Sequence, residues 1–313
     1  MNTGAISAPP IGVSQRARVA IPFLIVTLIW SSTWLVIRGQ FGVVPPAWSV
    51  TYRFGIAMVA MMIYAAISGT SLRLDWRQHR LALVYGIAQY ALNYYAVYLA
   101  ERTVTSGLVA VVFALLVVPN ALFAWAFLKQ GVSRPFLMGS GVAMLGMALL
   151  FVHELHVARA ADHHAIVIGI AWSLLAVLFA SIANVMQVTT RARSVPVASL
   201  VAWGMAWGTA FDALCAYALD GPPVFDPRLS YWAGTLYLGL IGSALAFTLY
   251  FGVVRVIGPA RSAYSSVLTP ALAMLLSTMF EGYRWSLSAA FGVALALAGL
   301  VVALRAKAAS PAR

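Results

Sequence analysis

A hydrophobic stretch at residues 86–100, GIAQYALNYYAVYLA, carries two amides and four tyrosines. A helical projection at 100° per residue places Gln89, Tyr90, Asn93 and Tyr94 on one face. Amides that face lipid lack hydrogen-bond partners, so this face should point into a helix bundle. Tyrosine rings offer apolar faces and a hydroxyl, which suits amphipathic or aromatic solutes. The stripe therefore predicts a substrate-binding face, with simple joining of helices as the alternative.

A second apolar stretch, residues 165–188, carries Asn184 and Gln187 along one face. Two helices with amide-bearing faces imply a shared polar centre. Four further side chains in apolar stretches are candidates for the same substrate-binding centre: Trp34, Ser243, Tyr250 and Tyr264. For each of them an ordinary interhelical hydrogen bond is the alternative interpretation.

Two ionisable residues, Arg53 and Asp212, fall well inside apolar stretches. A charge at membrane depth is costly and is by default a functional candidate. One hypothesis is a direct pair between them. Backbone carbonyls or a substrate carboxylate are the other partners considered for Arg53, and Asp212 is the only acid expected to be buried.

The most polar stretch is the segment 153–165, which contains four of the five histidines together with Glu154 and Asp162. Such a cluster could hold zinc or nickel, but its spacing matches no metal motif. We therefore predict a solvated linker without a metal. Neither a catalytic constellation at membrane depth nor a phosphate-binding loop is recognisable, so the sequence predicts neither an enzyme nor a cofactor. A non-transporting scaffold is not excluded.

The elements that must position these residues are membrane helices. The chain is 62% hydrophobic and only 9% charged, which is far outside the range of soluble domains. Stretches long enough to cross about 30 Å of hydrocarbon number ten: 19–37, 47–68, 80–99, 104–128, 135–152, 165–188, 196–218, 230–252, 260–280 and 285–304. With the N-terminus inside, fourteen Lys and Arg fall on the inner side and five on the outer. This bias predicts that both termini are cytoplasmic. The basic residues are scattered, which argues against nucleic acid as a partner.

The two halves of the chain align weakly at an offset of 150 to 153 residues, with Pro119 on Pro270 among the matches. Because each half holds five spans, the second half enters the membrane from the opposite side. The fold class predicted is an all-α integral membrane protein of ten transmembrane helices in two inverted five-helix repeats, 1–152 and 166–305, followed by a tail, 306–313. The matched prolines are hinge candidates for alternating access, with static kinks as the alternative.

Two segments resemble the ten-helix EamA-type carriers of the drug/metabolite transporter superfamily. LIWSSTWLVIRGQFGVVPPAWSVTYRFGIA, 28–57, has a Trp-Ser-Ser turn, then Pro, then Arg-Phe; SSVLTPALAMLLSTMFEGYRWSLSAAFGVALALAGLVV, 265–302, is similar to the closing helix pair. Where the family often has Gly-Glu after its fourth helix, this chain has Lys129 and Gln130. The chain looks most similar to YddG-type amino-acid exporters within that family.

The resemblance implies export of metabolites, chiefly amino acids, across the bacterial inner membrane. Phosphorylated substrates would call for several Lys or Arg in the cavity, so a neutral or zwitterionic solute fits better. A multidrug or cation exporter is the alternative, because aromatic side chains can bind cations. Proton coupling, exchange and facilitated diffusion stay open, as does the oligomeric state.

Overall fold

The computed structural model of the protein describes residues 13–129, 131–157, 162–257 and 265–305. Long helical segments joined by short connections make up most of these ranges. Their bounds are α1 Val13–Gly39, α2 Pro46–Ile67, α3 76–101, α4 106–128, α5 Arg134–Val157, α6 His163–Gln187, α7 Val197–Asp220, α8 229–257, α9 Ser265–Phe280 and α10 Leu287–Arg305. The all-α prediction is confirmed for the described residues.

Eight of these helical segments are long and apolar enough to cross a membrane, namely α1, α2, α4, α5, α6, α7, α8 and α10. The segment α3 begins with a charged turn that contains Arg77 and Arg80, and the apolar part of α9, Leu268–Phe280, is short. The described residues therefore contain ten helical segments besides the short helix Thr190–Arg193, while the count of ten membrane spans stays a prediction.

Three of the segments depart from regular α-helix. In α3 the π-helical stretch Ile87–Leu92 separates two α-helical parts, and in α8 the π-helical stretch Tyr237–Leu245 does the same. The two stretches begin at positions 150 residues apart, which matches the offset of the sequence repeat. The segment α4 is interrupted between Ala114 and Val117. π-Helical turns are uncommon and often mark functional sites.

Each of the first five helices has a counterpart five positions later, α6 for α1 through to α10 for α5. When every helix is replaced by its counterpart, the pairs of helices that pack together stay the same. The helices α2 and α7 pack together, as do α5 and α10, and α4 and α9. The pair α3–α6 has its counterpart in α8–α1, the pair α3–α7 in α8–α2, and the pair α1–α9 in α6–α4. This correspondence indicates two structurally related halves.

Glycines allow the closest approaches in this packing. A Cβ at Gly86 would lie 2.1 Å from the carbonyl oxygen of Gly204, so α3 and α7 touch backbone to backbone. Its counterpart Gly239 lies in the same way against the carbonyl oxygen of Arg53, where a Cβ would be 2.9 Å away. Small residues at such crossings are the usual means of packing membrane helices closely.

We expect Gly139→Ala to destabilise the protein, because a Cβ there would lie 2.4 Å from the backbone nitrogen of Ala303 on α10. Overpacking of this kind costs about 1–3 kcal/mol. Gly141→Ala is the matched control, two residues along α5, where a Cβ would meet nothing within 4 Å. Alanine there should be neutral or stabilising by up to about 1 kcal/mol through helix propensity. Thermal unfolding in detergent measures both, and equal melting temperatures for the two variants would contradict the packing.

The predicted linker 153–165 is helical over many of its described residues. Residues 153–157 continue α5 and residues 163–165 begin α6, so a large part of the predicted linker is helical. The imidazole of His153 lies within hydrogen-bond distance of the hydroxyls of Ser286 and Ser288. Glu154 accepts a hydrogen bond from the hydroxyl of Tyr283. Among the described residues, no group of three or more His, Cys, Asp and Glu side chains could hold a metal ion.

Candidate functional site

A cavity lies between α1, α3, α4, α6, α8 and α9, where the two halves meet. The empty space between its walls is about 900 Å³, counted out to the opening. Its lining residues are Trp30, Thr33, Trp34, Ile37, Gln89, Asn93, Tyr94, Val97, Ala110, Phe113, Ala114, Leu116, Ala180, Asn184, Phe247, Tyr250, Thr269 and Pro270. Of these described lining residues, six are aromatic, five carry an amide or hydroxyl group on an aliphatic chain, and none carries a formal charge.

The aromatic walls of the cavity are built from both halves of the chain. The rings of Trp30 and Tyr250 lie 4.9 Å apart, and those of Trp30 and Phe247 lie 5.6 Å apart. Trp34 packs on Phe113 with 5.0 Å between the ring centroids. These separations are typical of favourable tilted aromatic pairs. The pairs leave a largely apolar space that suits an aromatic or aliphatic solute body.

Four buried polar atoms on the cavity residues have no hydrogen-bond partner among the described residues. They are Nε1 of Trp30, Nε1 of Trp34, Oδ1 of Asn93 and Oγ1 of Thr269. Buried polar groups in folded proteins are almost always hydrogen-bonded, so each exception requires an explanation. Two donors, one acceptor and one hydroxyl at a single cavity match the requirements of a polar solute. A bound solute or water would satisfy them.

The structure brings together six of the predicted substrate-binding residues, Trp34, Gln89, Asn93, Tyr94, Asn184 and Tyr250. Sequence reasoning missed Trp30, Thr33, Phe113 and Phe247 as lining residues. Trp30 lies four residues before Trp34, so one helical face of α1 carries both indoles. The four-residue spacing between Trp30 and Trp34 could therefore have identified Trp30 as a lining residue from the sequence.

Two other predicted residues, Tyr90 and Gln187, do not line the cavity. Tyr90 is fully buried, and its hydroxyl is 2.7 Å from that of Tyr85. Gln187 donates to the same Tyr85 hydroxyl over 3.2 Å. Tyr90 lies in the π-helical stretch of α3, where the wider turn shifts residues from the positions that 100° per residue gives. These side chains form a separate contact between α3 and α6, while Tyr264 lies outside the described residues.

The hydroxyl of Ser243 binds Arg53, and Ser243 is not among the residues that line the cavity. Arg53 is fully buried, and its Nε donates to the hydroxyl oxygen of Ser243 over 3.1 Å. Its guanidinium carbon lies 4.3 Å from the ring centroid of Tyr94, which is a cation–π contact. Nη1 has no hydrogen-bond partner among the described residues. Tyr94 lines the cavity, so the cation lies directly behind one wall of the site.

The hypothesis of a direct pair between Arg53 and Asp212 is wrong. Asp212 is buried on α7, and its Oδ2 has no partner among the described residues. The helix α7 faces the side of α2 that carries Gly55, where a Cβ would lie 3.7 Å from Thr209. Gly55 follows Arg53 by two residues and points about 200° away around the helix. Arg53 therefore extends towards α3 and α8 instead.

Asp212 is not the only buried acid, as had been expected. Glu101, the last residue of α3, is fully buried, and neither of its carboxylate oxygens has a hydrogen-bond partner among the described residues. The guanidinium of Arg38 instead donates to the backbone carbonyls of Glu101 and Val104. An acid two residues beyond the predicted span 80–99 looked like a loop residue, so its burial could not be predicted from the sequence.

The two matched prolines differ in their surroundings. Pro119 lies in the first turn of the helix Val117–Leu128, where a missing N–H costs little. The break in α4 comes just before it, because proline cannot bond to the carbonyl four residues earlier, that of Leu115. That carbonyl accepts from the backbone N–H of Val118 instead. Pro270 lies inside α9 and lines the cavity. The interruption of α4 confirms a local break, while the hinge role stays a prediction.

Hydrogen bonds close the bundle at one end, which holds the connections 40–45, 102–105, 221–228 and 281–286. We name it the outer end, because the charge bias predicts that it faces outside. Gln40 donates to Thr235 over 2.7 Å and accepts from the hydroxyl of Tyr98 over 2.5 Å. The Glu281 carboxylate accepts from the backbone N–H and the hydroxyl of Ser106. Both sets join one half of the chain to the other.

The model of the EamA-like transporter family matches residues 18–152 and 167–305. The chain is 22% identical to protein PagO of Salmonella typhimurium over 272 residues, which cover 87% of this chain and 88% of PagO. It is also 22% identical to the uncharacterized transporter YdfC of Bacillus subtilis over 289 residues, 91% of this chain and 90% of YdfC.

A protein of known crystal structure shares the fold, with a TM-score of 0.66 and 22% identity. The match covers 92% of this chain and 97% of the other. Two matches to one family model agree with the related halves seen in the packing, and eight apolar helices make this a multi-pass membrane protein. The chain therefore belongs to the EamA-like transporter family, whose members are transporters and not enzymes.

Proposed function

We propose that this protein exports small neutral or zwitterionic metabolites, most suitably amino acids including aromatic ones, through its central cavity. The observation that carries the proposal is the cavity between the halves. Within the described part of the chain, its aromatic walls hold four unpartnered polar atoms and no formal charge. An aromatic amino acid offers an apolar ring for the walls and polar groups for the unpartnered atoms. Its net charge of zero avoids the cost of an uncompensated buried ion.

Alternating access between two inverted five-helix repeats is the mechanism that we propose. Two observations support it: the helix pairs that correspond between the two halves, and the matched π-helical stretches in α3 and α8. Two similar halves around one site can rock about that site and open it to each side in turn. The hydrogen bonds at the outer end would have to break when the cavity opens in that direction. Pro119 and Pro270 are the hinge candidates.

The setting proposed for this activity is the bacterial inner membrane, with ten spans and both termini cytoplasmic. The excess of Lys and Arg on the predicted inner side supports that orientation. A closer relation to YddG-type amino-acid exporters is part of the same proposal, and it rests on the sequence resemblance.

Cation export is a second candidate, favoured by the aromatic rings of Trp30, Trp34 and Tyr250 around the cavity. Rings of this kind bind quaternary ammonium groups by cation–π attraction. The described lining residues include no carboxylate, which counts against this candidate, because a membrane-buried cation is usually paired.

The experiment is uptake into proteoliposomes that contain the purified protein. Labelled amino acids, a quaternary ammonium dye and protein-free liposomes are compared under exchange conditions. We expect saturable exchange of at least one aromatic amino acid, because the cavity walls match such a ring. Exchange of the dye alone would favour the cation exporter, and no flux of any amino acid would refute the main proposal.

A further inference from the structure

The buried carboxyl of Glu101 has no role in the cavity or in the outer hydrogen bonds described above. Both of its oxygens are inaccessible, and no described residue donates a hydrogen bond to either. The carboxylate of Glu281, at the same end of the bundle, is by contrast hydrogen-bonded, since it accepts from Ser106 and Ser277. The contrast between two acids at one end of the bundle sets Glu101 apart.

Three features of the surroundings make a negative charge on Glu101 costly in this conformation. Burial without a donor removes the solvation of a carboxylate without replacing it. The position at the C-terminal end of α3 places the group at the negative end of the helix dipole. The carboxylate of Glu281, a like charge, is held at Ser106, only five residues further along the chain.

Positive charges also face the group. Arg38 on α1 and Arg53 on α2 both act on it, but neither forms an ion pair with it within the described residues. Arg38 points its guanidinium at backbone carbonyls, and Arg53 points at Ser243. Tyr98, one turn back on α3, donates its hydroxyl to Gln40. A proton on Glu101 is therefore the simplest way to make the closed outer end stable.

The location of Glu101 links it to the transport path. Val97 precedes it by four residues, so the two side chains lie on the same face of α3. Val97 lines the cavity, and so does Ile37, the residue next to Arg38. The carboxyl thus lies at the boundary between the cavity and the closed outer end.

We infer that Glu101 is the proton-binding residue of the transport cycle and couples export to proton entry. When the outer end opens, water reaches the carboxylate and a proton from the outer solution binds to it. Closing of the outer end around the neutral acid carries that proton inward. When the next substrate enters the cavity from the inner side, the proton leaves through the cavity to the inner solution, and the ionised carboxylate, which is costly in the closed arrangement, favours reopening of the outer end. One proton enters for each substrate exported. This inference rests on the proposed transport function.

The test compares exchange with proton-driven accumulation in the same proteoliposomes. Labelled phenylalanine, or the panel amino acid that exchanges fastest, is supplied outside liposomes whose interior is one pH unit more acidic. One proton per substrate over one pH unit corresponds to about 1.4 kcal/mol, or up to about tenfold accumulation. We expect the unmodified protein to accumulate the label and Glu101→Gln to exchange it without accumulation, because the amide mimics the neutral acid but cannot release a proton.

Glu154→Gln is the matched control, since that carboxylate lies near the same end of the bundle but is hydrogen-bonded to Tyr283. It should accumulate the label like the unmodified protein. Glu101→Met, an apolar residue of similar length, replaces Glu101→Gln if the latter does not fold. Accumulation by either Glu101 variant would overturn the inference, as would exchange without accumulation in the unmodified protein. Absence of exchange in the unmodified protein would instead refute the transport proposal itself.

Discussion

Trp34→Phe should weaken substrate binding without destabilising the protein. The indole Nε1 of Trp34 is buried at the cavity without a hydrogen-bond partner in the described part of the chain, so its loss removes an unsatisfied donor from the empty protein. In the variant with substrate bound, the substrate atom that accepts from the Trp34 indole N–H would be left unpaired, at a cost of about 1–3 kcal/mol. The apparent affinity in exchange assays should fall by about 5- to 150-fold.

Trp203→Phe is the control that makes this prediction specific. Its Nε1 donates to the backbone carbonyl of Leu72 over 2.8 Å, and the residue is not among those that line the cavity. The same exchange of indole for phenyl should therefore lower the free energy of unfolding by about 1 kcal/mol and leave substrate affinity unchanged.

The two tryptophan variants thus have opposite expected effects in two assays, thermal unfolding and substrate competition. A Trp34→Phe protein that melts earlier but binds substrate normally would show that the Trp34 indole joins helices. The same result would remove one of the four atoms on which the polar half of the proposed site depends.

The sequence predicted the parts of this site that follow from helical periodicity. Asn93 and Tyr94 on α3 and Asn184 on α6 were placed together because amides in apolar helices avoid lipid, and all three line the cavity. The related halves were visible in the repeat offset, and the family matches cover the same two segments.

Other parts could not be predicted because they depend on departures from periodicity or on tertiary packing. The π-helical stretch Ile87–Leu92 turned Tyr90 away from the cavity, and no composition signal marks such a turn. Ser243 looked like a cavity residue until the course of the Arg53 side chain was known. Glu101 lies at a helix end, and only the surrounding helices decide whether such a position is open to water or closed.

Arg53→Met should selectively weaken binding of solutes that carry a carboxylate. The guanidinium carbon is 4.3 Å from one face of Tyr94, so a carboxylate in contact with the opposite face would lie about 8 Å from it. At an effective dielectric constant of about 20, this attraction amounts to about 2 kcal/mol. We expect roughly a 30-fold loss of apparent affinity for carboxylate-bearing solutes and little change for uncharged ones.

The fold should tolerate this substitution, because removal of a buried arginine also removes its desolvation cost and the unpartnered Nη1. Competition by N-acetyltryptophan and by its uncharged amide separates the electrostatic effect from a general loss of shape. Ser243→Ala is the matched control, since it removes the hydrogen bond to Nε but leaves the cation in place. Equal losses for the acid and the amide in Arg53→Met would show that Arg53 supports the position of Tyr94 and does not attract a carboxylate. A loss confined to the acid would place the carboxylate of a zwitterionic substrate against Tyr94, and its aromatic ring would then lie towards Trp30 and Trp34.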